Sequence, residues 1–146
     1  MKRFKLNEII FIDDDPIVML LGSKILDRIG YPGEVSMFFS GIEALEGLKL
    51  KLHSIQFEVL QFPILILLDI NMPLMDGWGF LEVFQELPQE QKDHFKVVIV
   101  SSSLNPEDHA RAKSCQDLIG YIQKPLDAEG FLEFLKNNEL FDSSQT

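Results

Sequence analysis

Leu65-Ile66-Leu67-Leu68-Asp69-Ile70-Asn71-Met72-Pro73-Leu74-Met75-Asp76-Gly77 is a strand that runs into chemistry. An aliphatic run leads straight into a carboxylate, and Pro73 and the Asp76-Gly77 pair break any strand behind it. A run that is apolar on both faces reads as a parallel strand covered by helices on both sides. Open α/β sheets place their ligands at the carboxyl ends of such strands, which is where Asp69 stands.

The flanking sequence repeats this design. Ile9-Ile10-Phe11-Ile12 is a second buried run and stops at Asp13-Asp14-Asp15. Pro16 suits a first helical turn, Val18, Leu21, Ile25 and Ile29 trace one helix face, and Gly30 is the expected terminator. Val35 to Phe39 reads as a short strand, and Ser40-Gly41-Ile42-Glu43 matches the capping box that opens a helix, with Leu45, Leu48 and Leu52 on its inner side. The stretch 53–62 fits either an extension of that helix or a loop. After Gly77, Phe80, Leu81, Phe84 and Leu87 are spaced for a third helix, and Pro88 to Asp93 reads as a polar connection. Val97 to Val100 is a fourth strand ending in Ser101-Ser102-Ser103. Asn105-Pro106-Glu107-Asp108 then opens a fourth helix whose only apolar groups are Ala110, Ala112 and Cys115, so its anchoring is expected to be weak. Leu118 to Ile122 is a fifth strand leading to Lys124-Pro125, and Phe131, Phe134, Leu135 and Asn138 trace a fifth helix. The expectation is α/β: a doubly wound, flavodoxin-like, five-stranded parallel sheet of order 2-1-3-4-5 with five helices. It forms a single domain over 1–146, with its core over about 6–138 and a short tail at 139–146.

In that order the first and third strands are neighbours at the switch point, so residues distant in sequence share one crevice. Crowded carboxylates raise one another's pKa or recruit a cation. Oxygen donors without Cys or paired His favour Mg²⁺. A carboxylate such as Asp69 can attack phosphorus, and phosphoryl transfer then needs mainly positioning and charge neutralisation. Lys124 and the Ser101 hydroxyl are suited to holding the phosphoryl oxygens.

Ile12-Asp13-Asp14, Leu68 to Pro73 with Asp76-Gly77, Val100-Ser101-Ser102 and Tyr121-Ile122-Gln123-Lys124-Pro125 together resemble the four signatures of the receiver domain of two-component response regulators, the chemotaxis-type fold. The resemblance spans almost the whole chain. It implies that Asp69 is the phosphoacceptor and that Asp13 and Asp14 bind Mg²⁺ directly or through water, with Asn71 adding its main-chain carbonyl. It also implies that Ser101 and Tyr121 are the switch residues, that Lys124 partners the phosphate, and that a cis peptide precedes Pro125. The implied partners are a histidine kinase or phosphotransfer protein, and a downstream protein reading the fourth helix, fifth strand and fifth helix. A phosphorylation-dependent homodimer is compatible with this, and the 53–62 stretch is longer than in minimal receivers. No output domain is expected after the last helix.

Composition points the same way. With 13 basic and 23 acidic residues the formal charge is −10, which disfavours nucleic acid. The single cysteine, Cys115, excludes an internal disulfide and suits a reducing compartment. The absence of a signal-like segment and of any membrane-length apolar run predicts a cytoplasmic, soluble protein. His53, His94 and His109 sit in polar surroundings and read as surface residues, and Trp78 reads as core. Two rivals remain. Asp13-Asp14-Asp15-Pro16-Ile17 approaches the Asp-x-Asp motif of haloacid-dehalogenase-like phosphotransferases, with Asp13 as nucleophile and Asp15 as acid/base. Alternatively, the chain is a receiver-like interaction module that is never phosphorylated. The preferred reading is a signalling phosphoacceptor and not a substrate-processing enzyme.

Overall fold

Strands and helices alternate along the chain as β1 (Glu8–Ile12), α1 (Pro16–Ile29), β2 (Glu34–Phe38), α2 (Gly41–Leu52), β3 (Ile64–Leu68), α3 (Gly77–Gln85), α4 (Gln89–Lys92), β4 (Phe95–Ser101), α5 (Pro106–Ser114), β5 (Leu118–Gln123) and α6 (Ala128–Asn137). This is a computed structural model, and it describes residues 3–54 and 59–142. The strands form one five-stranded sheet of order β2-β1-β3-β4-β5, parallel throughout. β3 is buried at every position, as its unbroken apolar sequence requires, and so is β1, where the apolar run Ile9–Ile12 follows a buried Glu8.

Successive side chains of a strand point to opposite faces, and the sheet uses this to build two cores. Ile10, Ile12, Ile66, Leu68, Val97 and Ile99 face α2 and α3, where Leu48, Phe80, Leu81 and Phe84 close the layer. Ile9, Phe11, Leu65, Leu67, Val98 and Val100 face α1 and α6, met by Met19, Leu26, Phe131 and Leu135. Trp78 is buried, as expected. No helix among the described residues is long and apolar enough to cross a membrane.

The caps follow local chemistry. Asp15 accepts the Ile17 N–H ahead of Pro16, and Gly30 ends α1 in the left-handed conformation at φ 78°. Ser40 accepts the Glu43 N–H at 3.1 Å, one half of a capping box. Asn105 accepts from Glu107 at the start of α5.

Several expectations need correction. Among the described residues there are six helices, because the connection after Pro88 winds into the single turn α4. None of its residues is buried, so no apolar period announced it. The fourth and fifth helices of the sequence reading are therefore α5 and α6. α1 buries Met19, Gly22, Ile25 and Leu26, while Leu21 is 49% exposed. The face is turned because Gly22 takes the closest approach: a Cβ there would lie 2.6 Å from the Phe11 ring. α2 stops at Leu52 with His53 as its cap, and of the 53–62 stretch residues 55–58 lie outside the described residues. Phe4, Leu140 and Phe141, set outside the core by the sequence reading, are buried, and Phe4 packs on Phe141 at 4.7 Å between ring centroids. Of the tail, residues 143–146 lie outside the described residues.

Candidate functional site

Register brings the acidic groups together. Ile12 is paired with Leu68, so the next residues, Asp13 and Asp69, leave adjacent strands side by side. The Asp69 amide donates to the Ile12 carbonyl at 2.9 Å, which extends the ladder to the carboxylate itself. At the end of β5 the Lys124 amide donates to the Ser101 carbonyl at 2.9 Å. Its side chain then crosses to the acids, with Nζ 2.8 Å from Asp13 Oδ2 and 3.4 Å from Asp69 Oδ1.

Asp13, Asp69 and Ser101 are all buried, whereas Asp14 is exposed at the rim. One carboxylate oxygen each from Asp13, Asp14 and Asp69 lies within 4.8 Å of the others. Asp13 Oδ1 also accepts the Asp15 amide at 3.0 Å, which fixes its orientation. Burial, and then the neighbouring Asp13 charge, push the Asp69 carboxyl up to about 6. Lys124 and the Asn71 amide, both donating to Asp69, oppose that rise. For Lys124, burial alone would favour the neutral amine, but its bonds to Asp13 and Asp69 outweigh it and hold the pKa above the ordinary value.

The wall behind Asp69 is rigid. Gly77 donates to the Ile70 carbonyl at 2.8 Å, and a Cβ at Gly77 would lie 2.3 Å from the Asp69 carbonyl oxygen, so only glycine fits. Asp76 caps α3 by accepting Gly79 N–H at 2.8 Å. A cavity of about 340 Å³, lined by Val18, Leu21, Leu67, Val100 and Leu126, opens onto Asp13, Asp69 and Lys124.

Ser101 and Tyr121 are both bonded to Ser103. Ser101 Oγ accepts the Ser103 amide at 3.1 Å, and the Tyr121 hydroxyl donates to the Ser103 carbonyl at 3.1 Å. The peptide before Pro125 is cis, as the resemblance implied. Asp15, the acid/base of the phosphotransferase rival, is exposed and occupied as the cap of α1, so the Asp-x-Asp pair does not converge.

The sequence model of the response regulator receiver domain matches residues 9–136. The chain belongs to that family. Part of the peroxide stress-activated histidine kinase mak1 of Schizosaccharomyces pombe is 32% identical over 120 residues, covering 81% of this chain and 7% of that protein. The histidine-protein kinase BarA of Escherichia coli K12 is 31% identical over 125 residues, covering 81% of this chain and 11% of that protein. The chain thus spans about a tenth or less of the length of these curated relatives. A two-component response regulator of Cytophaga hutchinsonii superposes with a TM-score of 0.76 at 30% identity, covering 91% of this chain and 96% of that one.

Aspartate phosphorylation and Mg²⁺ binding are general features of receivers. The donor set here suits that ion, because three carboxylates with no soft ligand form a hard-oxygen site. Sequence reasoning on this receiver missed His109. Its ring packs against Tyr121 at 4.0 Å between centroids, tilted by 32°, and Nε2 lies 3.2 Å from the Ser103 carbonyl. A histidine amid polar neighbours carries no signal for a partner supplied by another strand. The close fit of Gly77 against Asp69 was likewise hidden, since Asp-Gly reads only as a strand breaker.

Proposed function

We propose that Asp69 accepts a phosphoryl group from a histidine kinase or phosphotransfer protein in a Mg²⁺-dependent reaction, and that the modification switches a protein-binding surface on α5, β5 and α6. The observation that carries this reading is the convergence of Asp13, Asp69 and Lys124 at register-matched strand ends. With its carboxyl at about 6, Asp69 is mainly ionised at neutral pH and available as a nucleophile. Its oxygen attacks phosphorus, the P–N bond of the donor phosphohistidine breaks, and the departing imidazole takes up a proton. The product is an acyl phosphate on Asp69.

Asp13, Asp14, Asp69 and the Asn71 carbonyl would hold Mg²⁺, which when bound would neutralise phosphoryl charge. Lys124 turns from the carboxylates to a phosphoryl oxygen, and the Ser101 hydroxyl donates to another. Tyr121 reports that event, because its hydroxyl is tied to the loop that follows Ser101. The histidine kinases among the relatives support a phosphohistidine donor. The formal charge of −10 favours protein partners over nucleic acid. The chain acts as a signalling phosphoacceptor whose chemistry is confined to gaining and losing its own phosphoryl group.

Labelling with acetyl phosphate and Mg²⁺ tests this directly. Acid-stable, base-labile incorporation is expected in the wild type and absent in Asp69→Asn. Label that survives Asp69→Asn but disappears in Asp13→Asn would overturn the reading in favour of the phosphotransferase.

A further inference from the structure

Ser103, two residues beyond Ser101, is bonded through its amide, its carbonyl and its hydroxyl. Its amide donates to Ser101 Oγ at 3.1 Å, and its carbonyl accepts the Tyr121 hydroxyl at 3.1 Å. Its own hydroxyl donates to Asp108 Oδ2 at 2.6 Å and accepts the Asn105 amide at 3.2 Å. The other Asp108 oxygen accepts the indole N–H of Trp78 at 3.1 Å. Arg111, one turn along α5, lays its guanidinium 4.5 Å from the centre of the Trp78 ring.

These bonds join two segments of the chain that leave the site separately. Trp78 follows Gly77, which is pressed against the Asp69 carbonyl, so the indole is fixed to the Asp69 side. Ser103 belongs to the loop that carries Ser101 into α5. Asp108 holds one of these segments with each oxygen. The arrangement also orients Ser101: a fully buried hydroxyl that has accepted a backbone N–H keeps its own proton for another acceptor. α5 buries only Ala112, so the Asp108 bridge carries a large share of its attachment.

We propose that Asp108, by holding Trp78 and Ser103 on its two oxygens, positions the Ser101 hydroxyl for the incoming phosphoryl group and transmits the state of the Asp69 site to α5. The proposal rests on Asp69 as phosphoacceptor. Asp108 acts through Ser103 and touches no reacting atom, so it is a positioning residue. Asp108→Asn retains one acceptor and loses the other. Ser103→Ala cuts the same link from the far side, Ser103→Thr keeps the hydroxyl, and Trp78→Phe keeps the ring but removes its donor.

The chain has one tryptophan, so its indole N–H gives a single NMR cross-peak. Two measurements on the full chain test the link: the rate of labelling by acetyl phosphate with Mg²⁺, and the shift of the indole peak on adding beryllium trifluoride with Mg²⁺ as a stable phosphoryl stand-in. In the wild type the indole peak is expected to move. In Asp108→Asn and Ser103→Ala that movement is lost and labelling slows by roughly five-fold, while Mg²⁺ affinity is unchanged. Ser103→Thr restores both, Trp78→Phe slows labelling to a similar extent, and the Ser103→Ala/Asp108→Asn double variant is no slower than either single one. A pure loss of fold would instead move Mg²⁺ affinity together with rate. Wild-type labelling rates in Asp108→Asn and Ser103→Ala, or additive losses in the double variant, would overturn the proposal while leaving Asp69 as phosphoacceptor. Failure of the wild type to label, or label in Asp69→Asn, would overturn the Asp69 reading and the proposal with it.

Discussion

Asp69 is a carboxylate kept where a carboxylate is costly. Burial and the Asp13 charge raise its pKa from the ordinary 3.8 to about 6. The unfolded chain releases this proton more readily, so between those two values the native state binds more protons, and stability falls as pH rises through the window. The penalty is absent below the lower value and complete above the upper one. Asp69→Asn removes it and retains an acceptor for Lys124. In EDTA the variant is therefore expected to exceed the wild type by roughly 2 kcal/mol at pH 7.5, with the gap closing by about pH 4. Urea unfolding at the two pH values checks this, and an equal gap at both would refute the burial argument. Asp13 and Asp69 were legible in the sequence because each follows an apolar run directly, and Lys124 because it stands one residue past the short run ending at Ile122; a chain that buries a strand fixes what comes next. Asp108 and His109 were not, because their roles depend on Trp78 and Tyr121, which reach them from other elements.

Elements announce themselves by apolar periodicity, so what lacks a period escapes. The five strands and five long helices were readable, whereas α4, with no buried residue, was not. The turned face of α1 has the same origin, since hydropathy spacing gives no weight to Gly22, the residue closest to the sheet. Glu8 is the sharpest case. It heads β1, where an acid reads as solvated, but it is 2% exposed and accepts from Ser36 of β2, with Lys51 of α2 at 2.6 Å. This ion pair ties the end of α2 to the start of β1. Lys51→Met strands a buried charge and is expected to cost about 3 kcal/mol, whereas Glu8→Gln with Lys51→Met leaves no charge to strand and should recover much of that loss. Chemical denaturation of the two single variants and the double gives the coupling directly. Losses that simply add would mean the pair contributes nothing as a pair.

At the scale of the whole molecule, two apolar cores lie on opposite faces of the sheet, and neither includes the groups at its carboxyl edge. There β1 and β3 end in acids that repel, and β5 supplies the only lysine bonded to them among the described residues. An ion seated among Asp13, Asp14 and Asp69 would join the two central strands through their charges and relieve the repulsion that the fold otherwise endures. An ion that binds only the native state stabilises the entire domain, by about 1.4 kcal/mol for each ten-fold rise in concentration above its dissociation constant. The thermal midpoint of the wild type is therefore expected to climb steadily with Mg²⁺. The climb should flatten in Asp13→Asn, which loses a carboxylate of the cluster, and persist in Tyr121→Phe, whose hydroxyl bonds the Ser103 carbonyl and not the acids. Differential scanning calorimetry across a Mg²⁺ series measures it. The argument requires the increment to track the ligands and not ionic strength, so an equal climb in NaCl of matched ionic strength would mean that screening, and not a seated ion, holds these strand ends together.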